Sequence, residues 1–163
     1  MVLHNKYLLL DAASCGIEYI EAAQTICKAD HDSLYLLNDR NLHLSIVAPY
    51  IFEMDDLLKD WWLENAFGKA WGMIIDSASN FITVRRHFRK FLKIETEEGQ
   101  QLYFRFYDPR VLTVFLPSCD EEQLLDFFGP VKSFLVENSL KEMTGYMHDN
   151  GTLKQVNMKP GKI

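Results

Sequence analysis

Short apolar runs constrain this chain more than any other feature. They are Tyr7 to Leu10 (closed by Asp11), Ser33 to Leu37, Tyr50 to Met54, Met73 to Ile75 and Val131 to Val136. Each is long enough for a strand in a covered sheet and too short for a buried helix. The stretches between several of them carry helical spacing instead. After Ala12-Ala13-Ser14, the residues Ile17, Ile20, Ala23, Gln24 and Cys27 recur at that spacing, and the next apolar run lies about right for a β-α-β unit. Asp55 and Asp56 suit the positive N-terminus of a helix running to about Asn65. Past the break at Gly68 to Gly72, Ser77 or Ser79 is placed to cap a helix whose Phe81, Val84, Phe88 and Phe91 make one apolar stripe.

The second half changes character. Leu92 to Thr96 and Gln101 to Tyr107 flank Glu97-Glu98-Gly99-Gln100, a hairpin signature. In the second of these strands Leu102, Phe104 and Phe106 alternate with Tyr103, Arg105 and Tyr107. Asp108 then stands as N-cap and Pro109 as first residue of a helix that Pro117 ends. Asp120-Glu121-Glu122 opens another, which Gly129-Pro130 stops. Beyond Asn138 the chain turns polar and slightly basic, and residues 138–163 read as a loose hairpin or tail after a domain spanning 1–137. Strands alternating with helices, then a hairpin, predict a single domain of class α/β to α+β, a mixed β-sheet with helices packed on it.

Composition narrows function by exclusion. The 163 residues are 48% apolar and 25% charged, as in an ordinary globular domain. With 17 basic and 23 acidic residues the net charge is -6, so nucleic acid is not an expected partner, nor is direct membrane insertion. No apolar stretch reaches bilayer length, and Asp11 interrupts the one run that resembles a signal peptide. Cys15, Cys27 and Cys119 are widely spaced with no Cys-x-x-Cys pair, which predicts buried reduced thiols in a cytoplasmic protein.

No constellation demands catalysis. The chain lacks a glycine-rich phosphate loop, a Gly-x-Ser-x-Gly elbow and a His-Glu-x-x-His helix, so no catalytic residue, metal or cofactor is expected. Asp30-His31-Asp32 reads as a solvated turn rather than a ligand set. Arg105 and Asp108 pair across the strand-to-helix turn, as a structural lock or as a polar site that Asp11 joins, and Arg110 either shares that network or is exposed. Arg85, Arg86, Arg89 and Lys90 either attract an acidic partner or form a solvated face balanced by Glu95, Glu97 and Glu98. Trp61 shares the core side of its helix with Leu57 and Leu58. Trp62, at the edge, is either a partner anchor or packed under a loop. Trp62, Arg85 and Arg89 are thus the partner-binding candidates.

Four segments carry a family resemblance: Leu9-Leu10-Asp11-Ala12-Ala13, Trp71-Gly72, Phe104-Arg105-Phe106-Tyr107-Asp108-Pro109-Arg110-Val111-Leu112, and Phe127-Phe128-Gly129-Pro130. In this order they resemble the DUF4123 family, the effector adaptors (chaperones) of the bacterial type VI secretion system. The resemblance covers about residues 5 to 136, and it marks Arg105, Asp108, Pro109, Arg110, Phe128, Gly129 and Pro130 as signature positions. It implies a non-catalytic protein that holds a secreted effector and helps load it onto the VgrG spike protein. Many members carry a further helical lobe, and this chain ends soon after the shared domain, so the resemblance implies nothing about binding through that lobe. The competing reading from the residues themselves is a small enzyme with a site around Arg105, Asp108 and Asp11.

Overall fold

A computed structural model describes residues 4–163. In chain order they form β1 (Asn5–Asp11), α1 (Ala12–Cys15), α2 (Ile17–Ile26), β2 (His31–Ser33), β3 (Pro49–Glu53), α3 (Asp56–Asn65), β4 (Gly72–Ser77) and α4 (Phe81–Arg89). There follow β5 (Lys93–Glu95), β6 (Gln101–Tyr103), α5 (Pro109–Ser118), α6 (Glu121–Phe128), β7 (Val131–Glu137), β8 (Met143–Asp149) and β9 (Thr152–Met158). A 7-stranded sheet has the order β2-β3-β1-β4-β7-β8-β9, and β5 with β6 makes a separate ribbon. Every neighbouring pair is antiparallel. The class is α+β, a sheet with helices packed on it.

The β-α-β spacing is real but split. β1 and β2 run in the same direction with β3 between them, and β3 and β4 do so with β1 between them. Both crossovers, α2 and α3, lie on one face, where Ile20, Ala23, Leu58 and Trp62 pack on Leu8, Leu10, Tyr50, Phe52, Ile74 and Leu135. On the other face α4, α5 and α6 bring Phe81, Val84, Phe88, Leu112, Leu116, Leu124 and Phe127 onto Tyr7, Leu9, Ile51, Met73, Ile75, Phe134 and Val136. Alternate residues of one strand therefore enter different cores. A strand covered on both faces has no polar side, which is why Tyr7 to Leu10 is continuously apolar.

The high phenylalanine content belongs to the second of these cores. Phe88 stacks on Phe106 at 5.3 Å, Phe127 on Phe134 at 5.3 Å, and Phe104 meets Phe115 edge-on at 4.8 Å. The central sheet also needs one missing side chain. A Cβ on Gly72 would sit 1.8 Å from the Leu9 carbonyl oxygen, so Trp71-Gly72 marks the close approach of β4 to β1.

Several local expectations change. Asn80, not Ser77 or Ser79, caps α4, accepting from the Thr83 N–H at 3.0 Å. The Ser77 hydroxyl instead donates to the Pro130 carbonyl at 2.6 Å. The hairpin ends at Tyr103, because the chain turns at Arg105 to Asp108 and buries both Phe106 and Tyr107. Of the second apolar run only Ser33 is in a strand, β2 being His31–Ser33, and Leu36 lies exposed in the connection that follows. Residues 138–163, expected as a loose hairpin or tail, do form a hairpin, and it is ordered into the main sheet rather than loose. They supply β8 and β9 of the same sheet, with Met143, Tyr146 and Ile163 buried.

The tryptophans exchange roles. Trp62 is 2% exposed and packs its ring 5.4 Å from Phe67, whereas Trp61 is half-buried. The reason is helical phase: Leu58 and Trp62, four apart, share the inner stripe of α3, and Leu57 faces outward. Trp62 is therefore core, not a partner anchor. Trp62→Ala should cost about 3–5 kcal/mol, as large aromatic truncations in cores do. Trp61→Ala should cost well under half of that. Urea midpoints of the two variants check this, and equal losses would contradict it.

Candidate functional site

The signature turn forms because three sequence devices coincide. β1 ends at Asp11, where α1 begins; β6 ends at Tyr103; and Asp108-Pro109 starts α5. Asp11 caps α1 through the Ala13 N–H at 3.1 Å and accepts from the Ser14 hydroxyl at 2.7 Å. Its carboxylate is 1% exposed and is paired by Arg105 Nη2, whose side chain remains 43% exposed. Asp108 caps α5 through the Arg110 N–H at 2.9 Å, and Arg110 returns a fork, Nε at 3.0 Å and Nη2 at 2.8 Å. Arg105 stands 3.9 Å from Asp108, so it spans the two carboxylates while favouring Asp11.

The structure thus brings Asp11, Arg105, Asp108, Pro109 and Arg110 together, and Arg110 joins the network with its head in solvent. Burial pushes the Asp108 carboxyl upward, but the side-chain and backbone bonds from Arg110 outweigh it and hold the group below its ordinary value. The Asp11 hydrogen bond raises the Arg105 guanidinium further. Beside them, burial and then the Asp11 charge push the Cys15 thiol up to about 12, which disfavours a thiolate nucleophile. Cys15 and Cys27 are buried free thiols, while Cys119 is only half-buried. Among the described residues no group of three or more His, Cys, Asp or Glu side chains gathers as a metal would require. The carboxylates here neutralise, cap and join elements.

Phe128, Gly129 and Pro130 occupy a different corner, between α6 and β7. Phe128 is buried against Phe134, with ring centroids 5.0 Å apart. Gly129 has φ 46°, and a Cβ there would come 2.4 Å from the His87 ring. His87 is itself buried, and its Nε2–H donates to the Phe127 carbonyl at 2.8 Å. This histidine carries no sequence signal beyond its place in the stripe of α4.

Arg85 and Arg89 are turned inward to β2. Arg85 pairs with Asp32, and Arg89 donates to the carbonyls of Leu34 at 2.9 Å and Ser33 at 3.2 Å. They fasten the edge strand to α4, with the Arg85 Nε left buried and without a hydrogen-bond partner. What the sequence did not reveal is the groove beside them, about 370 Å³, walled by Leu34, Tyr35, Leu36, Leu44, Leu92 and Tyr103. The apolar run Ser33 to Leu37, which supplies Leu34, Tyr35 and Leu36, is its one sequence signal. A larger cleft of about 470 Å³ adjoins Pro109 and Arg110, and at it Glu137 accepts from the backbone N–H groups of Gly68 and Ala70.

A family model described as a domain of unknown function, DUF4123, matches residues 6–125. The chain belongs to the DUF4123 family. The match takes in Asp11 and the whole Arg105 to Arg110 turn of this DUF4123 chain, and ends before Phe128-Gly129-Pro130. No curated protein and no solved structure matches it.

Two outcomes follow for this DUF4123 domain. Asp108→Ala should lower stability by about 1–2 kcal/mol, mainly the lost cap, because Arg105 keeps Asp11 as its partner. A loss beyond about 4 kcal/mol by denaturant titration would mean Asp108 also carries the Arg105 charge. Burial also holds the His87 imidazole below its ordinary value of 6.5, the Phe127 bond offsetting only part of this. The folded state thus favours the neutral ring, so stability is full above pH 6.5 and declines as the pH falls below it. His87→Gln should flatten that acid-side decline, whatever its effect at pH 8. An unchanged slope between pH 7 and 5 would reject the assignment.

Proposed function

We propose that this DUF4123 protein is a non-catalytic adaptor of the bacterial type VI secretion system. It binds an effector in the cytoplasm of the producing cell and helps load it onto the VgrG spike. The observation that carries this reading is the open apolar groove formed by the 34–44 connection, α4 and the base of the β5–β6 hairpin. An adaptor needs apolar surface of its own to cover that of its cargo, and Leu36 and Tyr103, both in the groove wall, are exposed. The family membership and the resemblance of the Arg105 to Arg110 turn support the same reading. Among the described residues no helix is long and apolar enough to cross a membrane.

One observation favours a second reading, a small enzyme: Asp11, Arg105 and Asp108 do converge. Both carboxylates already serve as helix caps, which favours the adaptor. Affinity isolation of the tagged full chain from its native cell, followed by mass spectrometry, separates the two. The adaptor reading expects one effector and VgrG to be recovered, and effector secretion to stop when the gene is deleted. Turnover of an ester, phosphate or peptide panel that Asp108→Asn abolishes without unfolding the protein would overturn it.

A further inference from the structure

We infer that the groove walled by Leu34, Leu36, Leu44 and Tyr103 docks an acidic apolar segment of a partner protein, a stretch in which aliphatic side chains alternate with Asp or Glu. On the adaptor reading, on which this rests, that partner is the effector.

Charge complementarity selects this occupant. Three cations, Arg89, Lys90 and Lys93, line the groove, and no carboxylate does. That is a basic island in a chain of net charge -6. Arg89 is committed to the Ser33 and Leu34 carbonyls, which fixes its charge in the wall. Lys90 and Lys93 form no ion pair among the described residues, and their ammonium groups lie 5.5 Å from the Phe91 and Tyr103 rings. The carboxylates nearest along the chain, Asp32, Asp39 and Glu95, all lie outside the lining; Asp32 is paired with Arg85, and Glu95 stands opposite Gln101 on the hairpin.

An apolar groove alone would accept any greasy segment. Covering two lysines with such a segment strips their water, and only a partner that returns carboxylates compensates this. The volume, about 370 Å³, suits a few side chains rather than a whole domain face. The hairpin adds backbone to the recognition, since β5 and β6 each pair on one side only. A nucleic acid would want free aromatic faces, but the Tyr35 and Tyr103 rings are already against each other at 5.6 Å.

The test uses the full chain and short fluorescent peptides in which Leu alternates with Glu, Gln or Lys, read by anisotropy. The Leu/Glu peptide should bind at least ~10-fold tighter than the Leu/Gln peptide and weaken as salt is raised. Lys90→Glu/Lys93→Glu should lose the Leu/Glu peptide and gain the Leu/Lys peptide, with an unchanged melting temperature. Leu36→Asp should weaken Leu/Glu binding likewise. Equal affinity for the three peptides overturns the inference, as does lysine-dependent binding of oligo(dT) or phosphatidylserine vesicles without peptide binding. Undiminished effector recovery by the double Glu variant overturns it too, while leaving the adaptor reading intact. A peptide charge swap with no effector recovered in cells upholds the groove and removes the adaptor reading instead.

Discussion

Two carboxylates buried at the junction of three elements are the constraint from which the rest of this structure follows. Asp11 ends the strand that pairs with both β3 and β4, and Asp108 starts the helix that roofs one core. Neither charge is tolerated in that position without partners. Each is therefore given a helix N-terminus to cap and an arginine to face, and Arg105 reaches from one to the other. The consequence is geometric. The chain leaving the β5–β6 hairpin is pinned against the end of β1, and the hairpin's position beside α4 is set. The groove exists because that hairpin is held off the main sheet.

The second organising fact is that the sheet is covered on both faces. Crossovers α2 and α3 fill one side, and the long excursion from β4 to β7 fills the other with α4, α5 and α6. Interior surface of this kind absorbs nearly all the large aromatics. Exposed apolar residues are then scattered singly over the helices, as Leu57, Ile82, Val114 and Leu125 are, while several gather on the 34–47 connection and the hairpin. The scaffold carries the stability, and the connections are left free to vary.

The elements legible in the sequence were those with a local cause. Caps at Asp55, Asp108 and Asp120, the stop at Gly129 and the buried run of β1 all came from residues within a few positions of one another. The Trp61/Trp62 assignment depended on helix phase, which spacing over so short a helix leaves ambiguous by one residue. The hairpin in residues 138–163 was legible, but its place in the sheet was hidden because an edge strand such as β9 is polar, and polar composition reads as loose. Asp11 and Arg105 lie 94 residues apart, so their contact had no local signature. The groove is assembled from three separate segments, and only the run Ser33 to Leu37 hinted at it.

The signature turn holds the fold together through the caps and ion pairs of Asp11, Arg105 and Asp108. A double-mutant cycle on Asp11→Asn and Arg105→Gln tests it most directly. The account predicts a coupling free energy of about 1–2 kcal/mol, a charge-assisted hydrogen bond discounted for the partial exposure of Arg105. It also predicts that each single variant, kept cold enough to remain folded, still retains the partner. Strictly additive losses, with partner retention abolished in the folded single variants, would contradict it and make the pair a contact site.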